Sequence, residues 1–148
     1  MMMRRKMVLV ASAMVLAGSF AGSFAAKAQS GGRTVWDGTY SAAQATRGKA
    51  VYAANCAACH GEGLAGIDVA PPLVGSAFLN NWNGTTAGDL FTRIHDTMPL
   101  NNPGTLGGRD VADVEAFVLQ SNGFPAGSTD LPSNPAMLGG TKIISTKP

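Results

Sequence analysis

Cys56-Ala57-Ala58-Cys59-His60 decides the reading of this 148-residue chain. Two thiols three positions apart, followed at once by a histidine, make the C-x-x-C-H pattern of covalent haem c attachment. The spacing lets both sulfurs add to the vinyl groups of one haem. It also sets His60 under the ring, where its imidazole binds the iron as proximal ligand. Both cysteines of the chain are used in this way. Three blander readings compete. A zinc ribbon requires a second pair of ligands at metal spacing, and His95 is the only other histidine. A thioredoxin-like redox pair requires a βαβ context, which the flanking residues do not offer. A structural disulfide leaves His60 without a purpose.

The N-terminus places the motif in a compartment. Arg4, Arg5 and Lys6 precede an uncharged apolar run over residues 7–26, and Ala26-Lys27-Ala28 closes it. A basic start, an apolar stretch and an A-x-A site predict a signal peptide over residues 1–28, cleaved after Ala28, and hence the periplasm. An uncleaved anchor is the rival reading, but Gly18, Ser19, Gly22 and Ser23 weaken the run. Four of the eleven basic residues precede Gln29, which leaves seven against all nine acidic residues, a formal charge of −2. Nothing in that balance resembles a nucleic-acid surface, and membrane contact is expected to be transient at most. The remaining length suits one domain.

Residues 29–40 read as a Gly-rich leader anchored by Trp36 and Tyr40. Ser41 is a plausible N-cap for a first helix over residues 42–55. Gly48 and Tyr52 share a face of it, and a mid-helix glycine, unfavourable by about 1 kcal/mol, makes sense where another helix approaches closely. Beyond His60 a Gly-rich loop runs into Pro71-Pro72-Leu73. A metal-bound histidine donates its other ring N–H to an acceptor, and the Pro71 carbonyl is the candidate, with Leu73 packing on the ring. Residues 76–82 read as a short helix ending in Trp82. Its indole N–H is a candidate donor to a haem propionate, or equally to a backbone carbonyl in the core.

Thr86 caps a helix over residues 87 to about 96, with Leu90, Phe91 and Ile94 as its inward stripe. Met98-Pro99 follows. Five of the seven methionines fall in the signal peptide, so only Met98 and Met137 remain. Met98 stands at a helix exit, before a helix-breaking proline, a poor place for core filler and a good one for a thioether aimed at iron. His95 is its rival as sixth ligand, on the helix and facing solvent; Met137 lies in a late Pro/Gly-rich stretch. Asp110 reads as N-cap of a last helix over residues 111 to about 122, with Asp113 and Glu115 placed to suit its dipole and Gly123 to stop it. Val111, Val114, Phe117, Val118 and Ser121 form the face expected to meet Gly48 and Tyr52. Residues from 124 onward read as irregular, with Leu131 and Leu138 as anchors.

Taken in order, these features resemble the class I cytochromes c. The resemblance implies an all-α fold whose first and last helices cross around one haem c, attached through Cys56 and Cys59. It assigns a cytochrome c domain to residues 41–127 and leaves residues 128–148 as an irregular C-terminal tail. Trp36-Asp37-Gly38, Asn81-Trp82-Asn83-Gly84, Thr97-Met98-Pro99 and Asn122-Gly123-Phe124-Pro125-Ala126-Gly127 look like a bacterial branch associated with quinoprotein (PQQ-dependent) dehydrogenases. Arg109 departs from that branch, which carries an aromatic at the start of the last helix.

Three functions are then in play. The first is a periplasmic one-electron carrier, ligated by His60 and Met98, between a dehydrogenase and an oxidase or another cytochrome of the respiratory chain. No catalytic residues are required for this, because transfer takes only a held cofactor and a tuned potential. The second is a tightly bound haem subunit of a dehydrogenase complex, prompted by the extra tail. The third is a haem with an open sixth site that binds small ligands or peroxide, which Met98-Pro99 speaks against.

Overall fold

Ser41 opens helix α1 (Ala42–Asn55) by accepting the Gln44 backbone N–H at 3.0 Å, so the expected cap and both helix ends are observed. The computed structural model describes residues 32–68 and 70–148, and the expected signal peptide with its cleavage site lies outside them. Five more helices follow: α2 (Ala57–His60), α3 (Gly75–Trp82), α4 (Ala87–Thr97), α5 (Gly108–Ser121) and α6 (Pro135–Leu138). Only isolated bridges, and no named strand, occur among the described residues, so the fold is all-α. None of the described helices is long and apolar enough to cross a membrane.

The most extensive helix pair is α1 with α5. They meet at Gly48, where an added Cβ would lie 1.7 Å from the Asp113 carbonyl oxygen. Only a residue without a side chain permits backbones that close, which is why a poor helix former sits mid-helix. Tyr52 packs on Phe117 four residues further on, ring centroids 5.3 Å apart. Arg47 completes the seam with two bonds to Asp113, 2.9 and 3.0 Å, and a third to Asp130 at 2.7 Å.

Helix α5 departs from the sequence expectation. It begins at Gly108, with Gly107 rather than Asp110 as N-cap, and Asp110 lies in its first turn. Asp113 and Glu115 therefore sit inside the helix and do not serve its dipole. Asp113 turns to Arg47, whereas Glu115 points into the core, fully buried, with neither carboxyl oxygen bonded to a protein donor. Burial without a partner holds the Glu115 carboxyl well above the usual carboxylate range.

The tail, expected to be irregular, carries the short helix α6 and isolated bridges, and it is integral to the core. Leu131 and Leu138 are buried, and Ile143, which the sequence did not single out, is completely so. Lys142 pairs on both sides, with Thr34 in parallel and with Thr86 in antiparallel sense. The leader is fastened by the same segment: Trp36 donates its indole N–H to the Ile144 carbonyl at 2.9 Å. Tyr40 reaches the Phe124 carbonyl at 2.5 Å. Gln44 exchanges two bonds with the backbone of Leu131. Residues 32–40 and 128–148 thus cover the core from outside the helices that hold the motif.

Candidate functional site

Cys56 stands at the break between α1 and α2, in a conformation (φ −124°, ψ −34°) that ends one helix and begins the next. The four-residue α2 then carries Cys59 and His60 through one turn. Cys56 is half-buried and Cys59 exposed, and both are free thiols. Burial, reinforced by Cys59, pushes the Cys56 thiol up to about 11. Among the described residues no group of three or more His, Cys, Asp or Glu side chains is arranged to hold a metal.

His60 is 8 % exposed, and its Nδ1 lies 2.9 Å from the Pro71 carbonyl oxygen. A carbonyl only accepts, so Nδ1 carries the proton, and the lone pair is left on Nε2. The loop that brings Pro71 back is held by short-range bonds. Gly66 N–H donates to the His60 carbonyl at 2.9 Å, and Leu73 N–H donates to the Leu64 carbonyl at 2.8 Å. Gly66, at φ +78°, has room for no side chain, since an added Cβ would lie 2.4 Å from the Ala70 carbonyl. Tyr52 ties its hydroxyl to the Gly61 carbonyl at 2.7 Å, joining α1 to the residue after the motif.

Leu73 is half-buried against the core. Its carbonyl accepts the Asn122 amide at 2.9 Å, and the Asn122 side-chain oxygen accepts the Gly75 N–H at 3.0 Å. Asn122 thus pins the proline loop to the end of α5. The sequence reading saw Asn122 within a motif and not as this clamp. Trp82 ends α3, half-buried, 6.2 Å from Phe78 by ring centroids, and its indole N–H meets no acceptor among the described residues. Trp36, by contrast, has its carbonyl partner.

Met98 is the C-cap of α4, its backbone extended (φ −125°, ψ 152°) and its N–H bonded to the Ile94 carbonyl at 3.0 Å. The side chain is half-buried. His95 stacks on Phe91, has a side chain 41 % exposed, and bonds to Asp96 at 2.7 Å, a solvent-facing position. Met137 is 69 % exposed. The start of α4 is fixed by a capping box in which Thr86 and Asp89 each bond the other's backbone N–H. Threonine's bonds hold the Asp89 carboxyl below its ordinary value.

The residues fit one prosthetic group. Two thiols and an imidazole with its tautomer already chosen are what covalent attachment and axial ligation of a haem demand. Residues 43–118, 76 of the 148, match the family model described as cytochrome c oxidase, cbb3-type, subunit III. No curated protein matches the chain. A solved structure, the sulfane dehydrogenase SoxCD from Paracoccus pantotrophus, is similar at 29 % identity and a TM-score of 0.44. The similarity covers 58 % of this chain and 46 % of that one, so the chain spans less than half of its structural relative.

Proposed function

The chain belongs to the cytochrome c family whose model it matches over residues 43–118, its helices take the class I fold of that family, and we propose that it is a periplasmic monohaem electron carrier ligated by His60 and Met98. The family domain itself implies electron transfer and covalent haem c. Carrying the finer reading is the His60–Pro71 bond, which leaves Nε2 unprotonated in the residue that follows the two thiols.

Each residue then has a task. Cys56 and Cys59 attach the group. His60 presents Nε2, and Pro71 holds the ring and raises its donor strength. Leu73 supplies apolar cover and Trp82 an unengaged N–H for a carboxylate. When bound, the haem supplies a one-electron iron couple, whose potential Met/His ligation raises into the range of electron carriers. The donor we propose is a periplasmic dehydrogenase, of the quinoprotein (PQQ-dependent) class by the sequence motifs, and the acceptor an oxidase or another cytochrome. In this reading the chain carries electrons and leaves the chemistry on a substrate to its partner. A bound-subunit role is the alternative, but the tail that prompted it is packed against the chain's own core.

Optical spectra of the purified holoprotein, ferric and ferrous, beside Met98→Ala test the assignment. The expected result is a low-spin haem c spectrum with the weak far-red methionine–iron band, absent from the variant. A wild type without that band, binding cyanide or CO readily, would overturn Met98 ligation and bring forward the open-site reading.

A further inference from the structure

We infer that the C-terminal segment, residues 135–145, positions Met98 by seating the helix that carries it; this rests on Met98 being the sixth ligand. Helix α4 leads directly to Met98, and its first turn is built against the tail. Ala87 N–H donates to the Thr141 carbonyl at 2.9 Å, Gly84 N–H to the Ile143 carbonyl at 2.7 Å, and Ile143 N–H to the Thr85 carbonyl at 2.9 Å. Across the segment, Val35 N–H donates to the Lys142 carbonyl at 2.9 Å and Lys142 N–H to the Arg33 carbonyl at 2.8 Å. Residues 141–144 are thereby a central rung between the leader and the start of α4.

A second contact faces the helix side. An added Cβ on Gly88 would lie 2.6 Å from the Pro135 carbonyl oxygen and 3.1 Å from Gly139 N, so α6 is docked on the α4 backbone itself. The residues just before α6 reach α5 as well, where an added Cβ on Gly108 would lie 2.8 Å from the Ser133 carbonyl oxygen and 3.6 Å from the Phe91 ring. Met98 lies ten residues beyond Gly88, about 15 Å along the helix axis. At that reach a tilt of about 4° at the seat moves the far end by about 1 Å. Metal–ligand distances hold within about 0.2 Å. The seat therefore governs how well the thioether meets the iron.

The test uses the full-length holoprotein with Gly88→Ala, which pushes α6 off α4, and Ile143→Ala, which removes the buried anchor of the rung. Asp113→Asn, which weakens the α1–α5 ion pair and leaves the Arg47–Asp130 bond to the tail in place, is the comparison. Three quantities are read: the far-red band, imidazole affinity of the ferric protein, and the urea midpoint. Imidazole enters only when the thioether is off, so its apparent affinity reports that fraction. The two seat variants are expected to lose band intensity and bind imidazole about tenfold more tightly. Ile143→Val should keep wild-type behaviour, and Asp113→Asn should lower the urea midpoint while leaving band and affinity unchanged. Imidazole affinity that tracks the urea midpoint across all variants would overturn the inference, leaving the tail merely stabilising. If Gly88→Ala yields no folded holoprotein, the Ile143→Ala and Ile143→Val pair decides it. A wild type lacking the band would instead sink the ligand assignment, and the inference with it.

Discussion

His60 donates a hydrogen bond from its Nδ1–H to the Pro71 carbonyl at 2.9 Å, eleven residues away. The proline carries no N–H of its own, and its ring limits how the loop turns. The imidazole is thus oriented by a carbonyl whose own position depends on Leu64, Gly66 and Asn122.

Asn122→Ala is expected to loosen that loop. It removes the bonds to the Leu73 carbonyl and the Gly75 N–H. A net loss of about 1–2 kcal/mol follows from two such bonds. Urea unfolding of the holoprotein measures it, and an unchanged midpoint would show that the loop holds without the clamp.

Gly48→Ala is expected to disrupt the helix pair. Ala improves helix propensity by about 1 kcal/mol. The new Cβ would lie 1.7 Å from a backbone oxygen, and overpacking of this kind costs about 1–3 kcal/mol or more. The clash wins because neither partner is a flexible side chain. A lowered thermal midpoint and poor holoprotein yield are expected; wild-type stability would mean that α1 and α5 can separate freely.

Glu115→Leu is expected to stabilise the protein at neutral pH, by about 1–3 kcal/mol. The carboxyl is buried, unbonded and raised in pKa, so its protonated form is favoured by folding. That contribution is fully present below the unfolded value, about 4.3, and is lost as pH rises through the higher folded value. Wild-type stability should therefore decline with rising pH over this window, and the variant's curve should be flatter. Urea midpoints measured from acid to alkaline pH settle the sign; parallel curves would show that Glu115 has found a partner.

Arg47→Met is expected to lower the unfolding free energy, because it strands Asp113, whose side chain is 4 % exposed, without its bidentate partner. The loss stays below that for a fully buried pair, since Arg47 is itself 37 % exposed and partly screened by water. A double-mutant cycle with Asp113→Asn isolates the coupling, and a coupling near zero would show the pair to be incidental.

The sequence alone determined what local chemistry determines. Cys56, Cys59 and His60 announce their use by spacing, because attachment to one rigid ring fixes which positions must be thiol and which imidazole. Ser41 and Thr86 could be read as caps because a cap bond spans only three residues, and Gly48 could be read as a crossing because no isolated helix profits from it. Tertiary structure decided what depends on distant partners. Asp113 and Glu115 are two residues apart on one helix, and nothing local distinguishes them. One meets Arg47, 66 residues earlier, and the other meets no donor among the described residues. Likewise residues 142–145 read as irregular because their bonds run to residues 33–36 and 83–85, not along themselves. A segment that pairs with two others far away leaves no periodicity in its own residues, and only the folded chain shows that Ile143 is core.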